Sequence, residues 1–288
     1  MRRRSEARNP IAARSHGRLR APSVADVPYA DLSPRNVCDI YLPPAAPGAG
    51  PCPVVVWIHG GAFRIGDKRE LKMPGPIIGA GMAIVSINYR LSQHAIWPAQ
   101  LEDLANVSRF IRANAAEFGF DAGRLAAFGS SAGGHLAAVM GIAFADDPDL
   151  RIDAVVDWYG PIHFQHMDSD IALTGVTRGS PPNGEAGSPE SDLIGAVVND
   201  RPDLAYAASP LHYLESAGSA PPFLIMHGDQ DPLIGAPQSV RLKDALQERF
   251  GPEAAEYQLL SDTGHGGGAF DSDWAQDLVV GFLRRTLA

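Results

Sequence analysis

The sequence predicts an α/β protein with a mostly parallel central sheet flanked by helices. Short apolar runs alternate with segments of helical periodicity, a pattern typical of a parallel sheet covered on both faces. The predicted strands are residues 37–42, 54–58, 82–89, 124–128, 153–159, 222–227 and 256–260. Two of the predicted helices are marked by apolar residues on one face: Leu101, Leu104, Val107 and Ile111 in one, and Phe270, Trp274, Leu278 and Phe282 in the last.

Length and composition allow a single domain. The chain has 288 residues and is 45% hydrophobic, enough for one large core without a second domain. We expect residues 1–25 to form a flexible Arg-rich leader, and residues 26–288 to form the domain. The leader holds seven arginines and one acid, Glu6, before residue 21, while the whole chain carries a formal charge of −9. The body is therefore acidic, which argues against nucleic-acid binding.

The long connection at residues 160–221 interrupts the alternation of strands and helices. It contains a segment rich in glycine, proline and serine, and so long a connection is rare in a compact domain unless it covers a site or is disordered. We expect a cap insertion after strand 6, over about residues 161–210. Within it, residues 164–190 are expected to be mobile, with short helices near 191–198 and 202–207.

Targeting features and cysteines favour a cytoplasmic protein. The leader has no apolar core of a secretory signal, although its arginines also resemble an organellar transit peptide. No apolar run approaches the roughly 20 residues that a membrane span needs. Cys38 and Cys52 are too few for a disulfide framework, and free thiols fit a reducing compartment.

A serine stands in a tight glycine turn between a predicted strand and a helical pattern. Residues 129–133 read Gly-Ser-Ser-Ala-Gly, and Ser131 has glycine two positions away on each side. A strand–turn–helix of this kind presents a serine hydroxyl to a bound carbonyl, and the glycines leave the backbone room to bend. We therefore interpret Ser131 as a candidate nucleophile.

A glycine-rich loop follows the predicted strand 54–58. Residues 59–63 read His-Gly-Gly-Ala-Phe, and backbone amides of such a loop can donate to the oxyanion of a tetrahedral intermediate. The candidate donors are Gly60, Gly61 and Ala62, together with Ala132 after the serine. An ordinary strand-to-loop turn is the alternative interpretation.

Candidates for an acid and a base follow the last two predicted strands. Asp231 stands directly before Pro232, where an extended backbone can project its side chain, and an acid there can orient a histidine. Asp229 is better placed to shape the turn through its own backbone bonds. We interpret Asp231 as the acid and His265, in a glycine-rich loop, as the general base.

These motifs resemble those of α/β-hydrolases of the carboxylesterase type, close to the bacterial feruloyl/acetyl-xylan esterase-like and hormone-sensitive-lipase-like groups. The order serine, acid, histidine along the chain is the α/β-hydrolase order. The resemblance spans roughly residues 28–286 and rests on residues 59–63, 87–92, 97–104, 129–138, 209–214, 227–233 and 264–267.

Two positions depart from the hormone-sensitive-lipase-like pattern. Ala62 stands where a third glycine is usual, and Ser130 stands where an acid usually precedes the nucleophile. The aromatic Phe63 moves the resemblance toward feruloyl-esterase-like and kynurenine-formamidase-like enzymes.

The resemblance implies hydrolysis of short-chain acetyl- or aryl-type esters through an acyl-enzyme on Ser131. The expected partner is a small-molecule ester, and no cofactor or metal is implied. An amidase of the kynurenine-formamidase type would share the same three residues. A non-catalytic binding module on this fold is a further alternative, although such proteins typically lose one of the three. The sequence leaves the oligomeric state open, a homodimer included.

Weaker candidates surround the predicted site. His59, Phe63, Trp158 and Tyr159 are candidates for the substrate pocket, although core packing suits the two strand-end aromatic residues equally well. His163, His166 and Asp168 also invite interpretation as metal ligands. Their spacing is not a helical i,i+4 pair and no further clustered ligand follows, so we predict no metal there.

Overall fold

The computed structural model describes residues 21–44 and 50–288. Within these residues eight strands form one sheet: β1 (Val24–Pro28), β2 (Val37–Tyr41), β3 (Cys52–Ile58), β4 (Ala83–Ile87), β5 (Phe120–Ser130), β6 (Ala154–Trp158), β7 (Phe223–Gly228) and β8 (Ala255–Leu260). The helices are α1 (Pro74–Gly79), α2 (Ala99–Ala113), α3 (Ala115–Phe118), α4 (Ala132–Ala143), α5 (Met167–Thr174), α6 (Pro189–Ile194), α7 (Pro202–Ala207), α8 (Pro210–Leu214), α9 (Pro237–Phe250) and α10 (Asp273–Thr286).

The sheet is mostly parallel, which confirms the predicted fold class. Its strand order is β1-β2-β4-β3-β5-β6-β7-β8. Strand β2 pairs antiparallel with both neighbours, and the six strands from β4 to β8 in that order are mutually parallel. The carboxyl ends of β3, β5, β7 and β8 therefore lie along one edge, the usual place for a ligand site in such sheets.

Alternation along β3 shows how the sheet is buried on both faces. Val54, Val56 and Ile58 pack on one face with apolar residues of α2, α4 and α9. Val55 and Trp57 pack on the other face with residues of α1 and α10. Side chains of a strand point alternately to opposite faces, so an uninterrupted apolar run fits only a strand covered on both.

The edge strand β1 is the strand that the sequence patterns missed. Four of its five residues are exposed, and it joins the sheet through backbone pairing with β2. Because it buries so little, it has no apolar periodicity to detect. The predicted leader, residues 1–25, is therefore wrong at residues 24 and 25, and residues 1–20 lie outside the described part of the chain.

The connection between β6 and β7 contains helices α5 to α8. Helix α7 matches the helix predicted at 202–207, and α6 overlaps only the first half of the one predicted at 191–198. Helix α5 lies inside the segment predicted to be mobile. Trp97, just before α2, anchors this connection through two hydrogen bonds. Its backbone N–H donates to Leu193 O at 2.7 Å, and its indole N–H donates to Ala207 O at 3.2 Å. We retain the division into one domain with a cap as a proposal.

Two further predictions concern the whole chain. Cys38 is a buried free thiol and Cys52 a half-buried one. Among the residues described here, no helix is both long and apolar enough to cross a membrane.

Candidate active site

Ser131 occupies a sharp turn between β5 and α4. Its backbone angles are φ 56° and ψ −124°, which a residue with a side chain rarely adopts. The turn is held from both sides, because Ser131 N donates to Trp158 O at 2.8 Å and His135 N donates to Ser131 O at 3.0 Å. Strain of this kind persists only where the surroundings fix it.

The two glycines that flank Ser131 are required by close backbone contacts. A Cβ on Gly129 would lie 2.0 Å from Gly133 O, and a Cβ on Gly133 would lie 2.0 Å from Ile58 O. Neither contact leaves room for a side chain. The strand, the turn and the helix therefore pack backbone against backbone, and the serine side chain is half-buried at the apex.

Ser131, His265 and Asp231 are brought together by hydrogen bonds. Ser131 Oγ lies 2.9 Å from His265 Nε2, and His265 Nδ1 lies 2.7 Å from Asp231 Oδ2. The carboxylate only accepts, so Nδ1 carries the proton and Nε2 is left as the acceptor for the serine hydroxyl. The histidine side chain is 17% exposed, and that of Asp231 is fully buried.

The electrostatics keep Asp231 ionised. Burial alone would raise the pKa of this carboxyl, but hydrogen bonds from His227 and His265 outweigh it and hold the pKa well below its usual range. The other candidate acid, Asp229, does not contact His265. Its backbone N–H donates to Leu260 O at 3.0 Å, and its Oδ1 is buried without a partner among the described residues.

The glycine loop, residues 59–65, leaves the end of β3 beside the serine. A Cβ on Gly60 would lie 2.8 Å from Ser130 O and 3.3 Å from Ser131 Cβ. The loop closes through Gly61 O, which accepts from the backbone N–H of Arg64 and of Ile65, both at 3.0 Å. None of the described residues accepts a hydrogen bond from the amide of Gly61 or Ala62, so both remain available to a ligand.

His59 is buried and braces the glycine loop from below. Its Nδ1 lies 2.6 Å from Gly60 O, and its Nε2 lies 3.2 Å from the guanidinium of Arg35. Because the guanidinium can only donate, Nε2 accepts and Nδ1–H donates to the loop. Burial lowers the pKa of His59 to about 4, with Arg35 acting in the same direction, and the ring is therefore neutral at pH 7.

Three of the four predicted pocket residues are core residues instead. His59, Phe63 and Trp158 are 0%, 1% and 1% exposed. Phe63 packs edge-on against His135. Trp158 lies between Phe128 and Phe270, on the face of the sheet that α1 and α10 cover. With no accessible surface these side chains cannot contact a substrate, so the pocket prediction is wrong for all three.

Tyr159 lies against the candidate base. Its ring centroid is 4.6 Å from that of His265, and its backbone φ is 45°. Burial raises the pKa of Tyr159 to about 12, so the phenol stays protonated. Its ring can restrict the orientation of His265.

The histidines in the connection after β6 have other partners. The rings of His163 and His166 meet edge to face, with centroids 4.3 Å apart, while Asp168 pairs with Arg178. Among the described residues no group of three or more possible metal ligands occurs.

A surface groove of about 670 Å³ lies beside the glycine loop. It is lined by Arg64, Ser92, Gln93, Ala186, Gly187, Ser191, Asp192, Gly195, Ala196 and Val197. Its lining includes the ion pair between Arg64 and Asp192. Neither Ser131 nor His265 lines it, so the groove adjoins the candidate site without containing it.

Sequence reasoning missed three side chains that support the site: Arg35, His227 and Ser239. His227 is fully buried at the end of β7 and contacts both Asp231 and Ser239. His227 stands two residues before Asp229, so its position near the candidate acids could be seen in the sequence. Its partner on α9 could not, because that contact depends on how the helix packs.

Comparison with known proteins identifies one matching family and several relatives that are named esterases. The BD-FAE family model matches residues 38–246. The esterase LipQ of Mycobacterium tuberculosis (strain ATCC 25618 / H37Rv) is 30% identical over 283 residues, which cover 90% of this chain and 63% of LipQ. The probable carboxylic ester hydrolase LipM of the same organism is 28% identical, covering 85% of this chain and 56% of LipM. The chain thus spans less than two thirds of each relative.

A solved structure supports the same grouping. A truncated form of a carbohydrate esterase from gut microbiota superposes with a TM-score of 0.79 at 27% identity, covering 93% of this chain and 99% of that one. Likeness over nearly the whole of both chains confirms the α/β-hydrolase fold.

Proposed function

Because the chain belongs to the BD-FAE family, we propose that it is a serine carboxylesterase acting on short-chain acyl esters through an acyl-enzyme. The observation that carries this proposal is the continuous contact from Ser131 Oγ through His265 to Asp231, at 2.9 and 2.7 Å. The curated relatives named esterases add support from sequence.

In the acylation half, Ser131 Oγ attacks the ester carbonyl carbon while His265 Nε2 takes the serine proton. The charged imidazolium is stabilised by ionised Asp231. The carbonyl oxygen becomes an oxyanion and accepts from the amides of Gly61, Ala62 and Ala132, with Gly60 shaping the loop. The C–O bond to the alcohol then breaks, and His265 returns the proton to the leaving oxygen.

In the deacylation half, water replaces the alcohol. His265 Nε2 removes a proton from the water, whose oxygen attacks the acyl carbon. Collapse of the second tetrahedral intermediate breaks the bond to Ser131 Oγ, which takes the proton from His265. The products are a carboxylic acid and the resting serine.

The comparisons and the groove support the proposed substrate class. Similarity to a carbohydrate esterase over 93% of the chain supports a short acyl group, such as acetyl, on a polar alcohol. The groove beside the glycine loop, with its charged and amide side chains, suits such an alcohol moiety better than a long lipid chain. We keep the cytoplasmic location as a prediction.

We expect p-nitrophenyl acetate and butyrate to be hydrolysed with a higher kcat/KM than the octanoate and palmitate. An organophosphate with a p-nitrophenolate leaving group is expected to phosphorylate Ser131. The serine Oγ attacks the phosphorus atom as it would a carbonyl carbon, and p-nitrophenolate leaves. Peptide mass spectrometry locates the adduct. Labelling of another residue, or loss of activity without labelling of Ser131, contradicts the proposed nucleophile. Cleavage of N-formyl amides but of no ester favours the amidase alternative.

Gly61→Ala is expected to lower kcat by roughly 10²- to 10³-fold with little change in KM, the usual effect of losing one oxyanion donor. Gly61 has φ 114°, and a Cβ there would lie 2.2 Å from Ile65 O, so the loop has to move and carry its amides with it.

The matched control for Gly61→Ala is Gly75→Ala in α1. A Cβ on Gly75 would have no atom within 4 Å, and its φ is not positive. Its substitution should therefore leave kcat unchanged. Steady-state kinetics on p-nitrophenyl acetate decide the comparison. Equal activity of Gly61→Ala and wild type argues against the loop as the oxyanion site.

A further inference from the structure

The carboxylate of Asp231 is held by four groups, of which His265 is only one. Its Oδ1 accepts from the backbone N–H of Leu233 at 2.8 Å and of Ile234 at 2.9 Å. Its Oδ2 accepts from His265 at 2.7 Å and lies 3.3 Å from Nε2 of His227. The side chains of Asp231 and His227 are both fully buried.

The surroundings of His227 determine its tautomer. Nε2 faces two acceptors, Asp231 Oδ2 and Ile234 O at 2.8 Å, so this nitrogen carries a proton. In the neutral ring Nδ1 is then an acceptor, and the Ser239 hydroxyl at 2.7 Å donates to it. Ser239 projects from α9, outside the loops of the candidate site.

We propose that His227, oriented by Ser239, is a positioning residue that holds Asp231 in the rotamer that His265 requires. This inference rests on the proposed function and extends it to a second serine–histidine pair on the same aspartate. The resulting hydrogen-bonded chain runs through Ser239, His227, Asp231, His265 and Ser131.

The His227 ring thus holds two groups, the Asp231 carboxylate and the backbone oxygen of Ile234. It donates to the carboxylate and also to Ile234 O, which belongs to the loop that carries Asp231. Partners behind a catalytic group determine its orientation, and in a buried network each bond strengthens its neighbours. Loss of the His227 proton donor therefore frees both the carboxylate and its loop.

The donor also tunes the charge on Asp231 Oδ2. Without it, this oxygen becomes a stronger acceptor and stabilises the charged imidazolium of His265, so the acidic limb of the kcat/KM profile moves to higher pH. Two other titratable groups face His227 from β6 and the turn after it: Asp157, buried, and Tyr159, whose ring centroid lies 6.4 Å away. Both remain in every variant proposed below, and the difference between variants reports the change at Asp231.

Four variants test the proposal. His227→Leu removes the donor, whereas His227→Gln keeps an amide N–H near the position of Nε2. Ser239→Ala removes the hydroxyl that fixes the tautomer, and Ser108→Ala is its matched control, because Ser108 is a buried serine whose Oγ has no partner among the described residues.

We expect His227→Leu to lower kcat for p-nitrophenyl acetate by roughly 10- to 100-fold, with KM little changed and the acidic limb at higher pH. His227→Gln should recover most of kcat and the wild-type limb. Ser239→Ala should lose about fivefold, the effect of one hydrogen bond, whereas Ser108→Ala should match wild type.

Equal losses in His227→Leu and His227→Gln with an unmoved limb overturn the proposal, since packing alone then explains them. Identical kinetics of Ser239→Ala and Ser108→Ala also overturn it, and this pair decides if His227→Leu does not fold.

Imidazole NMR of the resting protein separates failure of this proposal from failure of the esterase assignment. The downfield Nδ1–H proton of His265 should shift in His227→Leu and not in His227→Gln, even in a protein that hydrolyses no ester. An unshifted proton contradicts the inference.

Discussion

Ser131→Ala is expected to lower kcat for p-nitrophenyl acetate by roughly a millionfold, as removal of a catalytic serine does in serine hydrolases. No other described hydroxyl bonds to His265 Nε2, and Ser130 is only 6% exposed, so no neighbour can replace the lost oxygen. The amides of the glycine loop would still bind the carbonyl oxygen, which explains any residual rate.

The fold should be intact in Ser131→Ala. Alanine keeps the Cβ that the φ of 56° already accommodates, and the Ser131 side chain makes no capping bond to α4. Thermal unfolding monitored by circular dichroism checks this point. Ser130→Ala, which removes the adjacent hydroxyl, is the matched control and should keep activity within about tenfold of wild type, the range of one or two lost hydrogen bonds. Turnover by Ser131→Ala comparable to that of Ser130→Ala, in a preparation free of host esterase, excludes Ser131 as the nucleophile.

The parts of the candidate site that sequence could predict are those whose constraint is local. The glycines at 129 and 133 are dictated by backbone atoms 2.0 Å from a built Cβ, and the glycines of the loop after β3 have similar causes. Such contacts leave a fixed spacing in the sequence. Each motif also follows an apolar run that identifies its strand, so its place at the carboxyl edge of the sheet could be inferred.

The parts that could not be predicted depend on which distant residues meet. Arg35 sets the tautomer of His59 from a loop before β2, and Ser239 sets that of His227 from α9. Neither pairing has a sequence spacing to reveal it. The error over Trp158 has a related cause: a residue at a strand end can face either side, and here the ring turns into the core between Phe128 and Phe270.

Asp231→Asn is expected to lower kcat by roughly 10⁴-fold, the effect of an amide in place of the acid in a serine–histidine–aspartate site. The surrounding donors determine how the amide must sit. The backbone N–H groups of Leu233 and Ile234 hold Oδ1, so the amide oxygen takes that place and the NH₂ group takes the place of Oδ2. This NH₂ donates to His265 Nδ1, which must become an acceptor. The proton then resides on Nε2, which can no longer accept from the serine.

The same NH₂ group would also face the Nε2–H of His227, 3.3 Å from the present Oδ2. Two donors then oppose each other in a fully buried site, so Asp231→Asn should unfold at a lower temperature than wild type as well as turn over more slowly. Asp229→Asn is the control that separates the two candidate acids, because Asp229 lies on the same loop without contacting His265. It should retain most of the activity. A large loss of activity in Asp229→Asn with a small loss in Asp231→Asn would assign the orienting role to Asp229. It would also refute the premise that the position directly before Pro232 selects the acid.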